Sequence, residues 1–383
     1  MTSQEIWARI FAQAWCELDP HRIGPTLAQV FRDFRDQHPD ALRLSSHNLL
    51  VLCAGAEQSL GLAGDLDDLL SHYPGRAVVV VLEGPPQAPI QGAYRIFSRK
   101  HQLAGELIGL QAGDGAPLPS LLAPVWQDGL PLVTIWRGPV PYAQGWFRSL
   151  VENSTRFVID SGVGEGAELA ERVASVRGLW SLMRDPYLGS QTFSDMTWGR
   201  LAVWRDWLAS LFDRPEHRAL LPRVELVELE GWATPGEVLP GLPALYLAAW
   251  LSVQLGWGAG GALRAAPGGY EGRCGSVVFK FYPRVTEDPD FSGRTVRVSF
   301  RGQCQGQPFR LSVERDSNDS STLVVGASGP GCGGGGHRLH MERLQNLSLL
   351  GHELEMEGRD RVFEKVLERL LEIAGVLEQE VRS

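Results

Sequence analysis

The chain has 383 residues, 44% of them hydrophobic and 21% charged, with a formal net charge of −9 at pH 7. Its length predicts two or three domains with sizeable cores, and its acidic balance argues against non-specific binding to nucleic acid or anionic membranes. The stretch Met1–Gln13 lacks a basic start followed by an apolar run, so no signal peptide is read. Five scattered cysteines without a CxxC pair fit a reducing cytoplasm.

In the first half, strand-like and helix-like segments alternate. Helical spacing marks 25–37, 65–72 and 143–153. Strands are expected at 48–53, 76–82, 94–97, 106–110, 132–136 and 156–160. The run Ala77-Val78-Val79-Val80-Val81-Leu82 is continuous enough for a strand covered on both faces. This alternation predicts an α/β layer domain with a largely parallel sheet over residues 1–165.

Residues 166–383 read as an α+β domain. A helix over 165–183 leads into the Trp-rich segment 195–213, read as one helix of about five turns, N-capped by Ser194 or Asp195. A strand at 224–229 and an apolar helix at 242–255 follow. The apolar stretch 242–257, broken by Pro243, Ser252 and Gln254, falls short of the ~20 residues that span a bilayer. Glycine-rich 256–269 is expected to be loop, and 276–282, 295–301, 309–314 and 322–326 form an antiparallel meander. Two helices split at Gly358 close the chain. The second carries Val362, Phe363, Val366, Leu367, Leu370, Leu371, Ala374 and Leu377 on one face.

The segment 195–213 is the most informative. At 100° per residue, Trp198, Leu201, Trp204, Trp207, Leu208, Leu211 and Phe212 fill an arc roughly 180° wide, where a surface helix needs only about 100°. Arg200 and Arg205 rim that arc. Wide Trp faces edged by Arg suit a partner surface as well as a core. Trp198, Arg200, Trp204 and Arg205, supported by Trp207, are therefore the candidate partner contact, or the scaffold just behind it.

Other candidates carry less chemistry. Gly162, Gly164 and Gly166 follow a strand and open a helix, where exposed N–H groups could hold an anion. The spacing is GxGxG and not the dinucleotide GxGxxG, which favours a flexible start to the helix. Cys332, His337 and His340 offer three metal-type side chains where a structural zinc takes four, so no metal is expected. Asp65, Asp67 and Asp68 suit the start of a helix. No nucleophile or metal motif stands out among the nine histidines, so no cofactor is assigned and a non-catalytic protein is expected.

The stretch Asp195-Met196-Thr197-Trp198-Gly199-Arg200-Leu201, with Trp204-Arg205 and Leu211-Phe212-Asp213, resembles the signature of the OpcA family. Further blocks agree in order. They are His72–Val79, Glu106–Ile108, Leu118–Pro124, Leu130–Gly138 and Arg156–Ser161, with a weaker match at Arg359–Phe363. The resemblance implies a partner of glucose-6-phosphate dehydrogenase that promotes its active oligomer at the start of the oxidative pentose phosphate pathway. The alternatives are a sugar-phosphate or nucleotide sensor, or an enzyme, using the Gly162–Gly166 turn, and an adaptor without effect on turnover.

Overall fold

The computed structural model describes residues 15–375, except 41, 56–58, 60–61, 100–101, 163–168, 234–240, 259, 286–293, 317–318, 320, 331, 333–335 and 341–345. Two compact units emerge. One comprises Met1–Glu165, Ser181–Met196 and Leu344–Arg359, and the other Gly166–Trp180, Thr197–Arg343 and Asp360–Ser383. A division at 165/166 is thus crossed by two later segments that cluster with the first unit.

The first unit is built on one sheet of β1 (Cys16–Leu18), β2 (His47–Cys53), β3 (Gly75–Leu82), β4 (Gln91–Arg99), β5 (Gln102–Ala112), β6 (Leu132–Arg137), β7 (Arg156–Asp160) and β8 (Thr192–Asp195). Their spatial order is β1-β4-β5-β3-β2-β6-β7-β8. The six strands from β5 to β8 are parallel, while β4 and β1 add an antiparallel edge. Every residue of β2 and β3 is buried, because parallel strands are covered on both faces. Counted along the chain, the parallel strands lie in the order 3-2-1-4-5-6 of doubly wound folds, with the switch point between β2 and β6.

On one face Leu49, Val51, Val79, Leu107, Val133 and Val158 pack with Leu66, Leu69 and Leu70 of the helix Leu62–His72 and with Leu349 and Leu350 of the helix Asn346–Glu355. On the other, Phe147 of the helix Gly145–Asn153 meets Trp136 and Phe157 edge-on at 5.6 and 5.5 Å.

The second unit holds another eight-stranded sheet. Its strands are β9 (Val224–Ala233), β10 (Gly260–Ala266), β11 (Gly269–Cys274), β12 (Val277–Val285), β13 (Thr295–Cys304), β14 (Gln307–Arg315), β15 (Thr322–Ser328) and β16 (His337–His340). They lie in the order β10-β11-β12-β9-β13-β14-β15-β16. The expected meander therefore needs correction. β9 sits between β12 and β13 and runs parallel to β12, so only β13–β14–β15 is the continuous run foreseen.

The loop expected at 256–269 also gives way to β10 and the start of β11. Gly268 (φ 79°) and Gly275 (φ 58°) form the turns that flank β11, and glycines within the strands hid their alternation. The hydrophobic helix Leu242–Gln254 buries residues all around, in keeping with a core element. Among the described residues no helix is long and apolar enough to cross a membrane.

His47, at the start of β2, is 4% exposed, and its Nε2 has no hydrogen-bond partner among the described residues. Burial pulls its pKa from 6.5 down to about 4. Between these values the unfolded chain binds a proton that the folded chain refuses. Stability is therefore complete above pH 6.5 and is lost as pH falls towards 4, by about 3 kcal/mol. In urea titrations at pH 7 and pH 4, His47→Gln should show a shallower acid loss than the parent. Equal losses would contradict this assignment.

Candidate functional site

The Trp-rich segment is not one helix. β8 ends at Asp195, a helix covers Met196–Arg200, and a second covers Ala202–Leu211. Leu201 between them, at φ −86° and ψ −1°, donates its N–H to the Trp198 carbonyl oxygen at 3.2 Å, a tighter turn that separates the two helices.

Trp198, 5% exposed, packs on Tyr246 at 6.1 Å and on Phe363 at 5.8 Å between ring centroids. Its indole N–H donates to Asp360 Oδ2 at 3.0 Å. The other oxygen, Asp360 Oδ1, accepts the backbone N–H groups of Val362 and Phe363, both at 2.9 Å, and so caps the helix Arg361–Ala374. Arg205 lies 3.4 Å above the Trp198 ring and donates to the Trp198 carbonyl oxygen at 2.6 Å. Desolvation lowers the Arg205 pKa to about 10, opposed by Asp360 and Asp206, so it stays charged at neutral pH.

Trp204, 2% exposed, lies under Arg315, 5.6 Å from its ring. Trp198 and Trp204 thus form core scaffold. Arg200 and Trp207 are half-buried and accessible to solvent in part.

The other blocks behave alike. In the first unit, Arg76 Nε meets Glu106 Oε2 at 2.6 Å, joining two blocks in a buried pair that Arg43 also contacts. Ser161 Oγ donates to Asp195 Oδ2 at 2.5 Å, tying the end of β7 to the end of β8. Arg156 Nε meets Glu353 Oε2 at 2.7 Å, and Ser194 Oγ donates to Glu353 Oε1 at 2.9 Å. Sequence reasoning missed Glu353 and the full role of Asp360, although both left signals. Glu353 falls on the apolar face of its helix with Leu349 and Leu350, and Asp360 occupies the cap position before a periodic apolar run.

Among the weaker candidates, Gly162 lies in the turn after β7, while Gly164 and Gly166 fall outside the described residues. Cys332 is buried and its thiol donates to the Ser328 carbonyl oxygen at 3.1 Å, whereas His337 and His340 are exposed on β16. Among the described residues no cluster of three metal-type side chains occurs.

Fold and motif placement define an α/β protein of two units whose shared sequence blocks serve as internal joints. Residues 191–367 match a family described as the C-terminal domain of the glucose-6-phosphate dehydrogenase subunit. The OxPP cycle protein OpcA of Synechocystis sp. is 22% identical over 81% of this chain and 66% of its own length. That of Synechococcus elongatus is 26% identical over 67% of this chain and 55% of its own. The chain is thus similar to OpcA proteins, and spans between about half and two thirds of these relatives' lengths. Among solved structures, a 3-ketoreductase mutant of KijD10 from Actinomadura kijaniata matches with TM-score 0.48 and 11% identity, over 88% of this chain and 98% of that one. Nothing functional follows from a likeness at that level.

Proposed function

We propose that this protein binds glucose-6-phosphate dehydrogenase and favours its active oligomer, serving the oxidative pentose phosphate pathway in the cytoplasm without catalysing a step itself. The observation that carries this reading is the match of residues 191–367 to a family described by that enzyme's name. The relatives' description as OxPP cycle proteins supports it. A binding protein raises its partner's activity only by holding the active conformation or oligomer more tightly than the alternative. Within the signature segment Trp198 and Trp204 support the fold, while Arg200 and Trp207 keep part of their surface in solvent. Co-elution of the two purified proteins, at a mass above the dehydrogenase alone, is expected; separate elution at micromolar concentrations would refute the reading.

A second reading, a nucleotide or sugar-phosphate ligand, is favoured by the doubly wound order, which sets a ligand crevice at the β2/β6 switch point. The sequence that follows β2 reads Ala54-Gly55-Ala56-Glu57-Gln58-Ser59, with alanine and serine where the dinucleotide fingerprint has glycines. A rise in Tm with NADP or glucose 6-phosphate alone would support this reading.

A further inference from the structure

The sheet of the second unit has two unlike faces. Val298 and Phe300 of β13 and Leu311 and Val313 of β14 are fully buried on one. Alternation sends Arg297, Ser299 and Arg301 of β13, and Arg310, Ser312 and Glu314 of β14, to the other. Solvent reaches this second face, since the Arg301 and Glu314 side chains are 44% and 36% exposed.

Most charges on it are matched. Arg297 pairs with Glu230, Arg301 with Glu228 at 2.8 Å, and Arg284 with Glu314 at 3.6 Å. Arg310 is not among them. Its direct cross-strand partners are Arg301 on β13 and Ser328 on β15. Among the described residues its guanidinium makes neither hydrogen bond nor ion pair, and its Nε is buried without a partner. Like charges directly opposite on a sheet destabilise it. Desolvation, with Arg297 and Arg301 nearby, lowers the Arg310 pKa in spite of Glu228 and Glu314. A locally unfavourable arrangement on an open face marks a place where function has overridden stability.

We infer that Arg310 and Arg301 form a receptor for carboxylates on an acidic protein surface, so that the open face of the second sheet is where the partner docks. This rests on the proposed function, and names the surface through which that binding occurs. Two adjacent guanidiniums, one of them without a carboxylate, supply bidentate donors that a partner's Asp or Glu can engage. Trp232 on the same face, half-buried with Arg284 5.3 Å from its ring, adds an aromatic anchor of the kind found at binding hot spots.

The test compares the parent protein with Arg310→Ser for affinity to glucose-6-phosphate dehydrogenase at two salt concentrations, with Tm measured in parallel. Expected are roughly tenfold weaker binding and a smaller salt dependence, with Tm unchanged or raised because a like-charge pair has been relieved. A merely structural arginine would instead lower Tm. Parent binding that survives unchanged in Arg310→Ser overturns the docking surface alone. Failure of the parent to bind overturns the functional reading, and the docking surface with it. Self-association of the parent chain that Arg310→Ser abolishes overturns the acidic partner in favour of a second copy.

Discussion

Trp198→Ala is expected to destabilise the second unit by about 3–5 kcal/mol, the usual cost of deleting a large buried aromatic side chain. Three losses combine: the packing on Tyr246 and Phe363, the hydrogen bond to Asp360, and the support beneath the Arg205 guanidinium. Trp198→Phe keeps most of the packing and loses the N–H. It should cost about 1 kcal/mol more than the lost area implies, since Asp360 retains its two backbone donors. Urea unfolding measures both. A Trp198→Ala protein as stable as its parent but unable to bind its partner would show that the tryptophan is a contact and not a core residue.

The second large effect concerns the first unit. Glu353→Ala leaves the Arg156 guanidinium, its side chain 3% exposed, without its carboxylate, and removes the acceptor of the Ser194 hydroxyl. Breaking one side of a buried ion pair costs about 3–5 kcal/mol, because an uncompensated charge stays buried. The double variant Arg156→Met with Glu353→Leu should recover most of that stability. If Glu353→Ala proves harmless, the pair is not a joint of the first unit.

Much of the fold was legible because the first unit's strands are near-continuous apolar runs with helical segments between them. Arg156–Asp160 was placed to the residue, and β2, β3 and β6 to within a residue or so at each end. The order of strands was not legible, because pairing is set by contacts distant in sequence. The insertion of β9 between β12 and β13 leaves no local trace in either strand. Glycine misled in the second unit. At 268 and 275 it makes hairpin turns, yet a glycine-rich composition reads as loop.

The signature segment was legible as unusual, but its meaning was not. Periodicity shows which residues share a face but not what covers it, and Tyr246, Phe363 and Arg315, all distant in sequence, lie against Trp198 and Trp204. Arg310 could not be singled out from sequence, because its distinction is the arginine directly opposite it across the ladder.

The central claim, that this protein favours the active oligomer of glucose-6-phosphate dehydrogenase, is tested most directly by titrating it into a fixed amount of that enzyme. NADP reduction at sub-saturating glucose 6-phosphate is followed while light scattering records the mass of the complex. The rate is predicted to rise and then saturate at a fixed ratio of the two chains, as the mass increases in step. A flat rate with no change in mass, at concentrations well above micromolar, would contradict the claim.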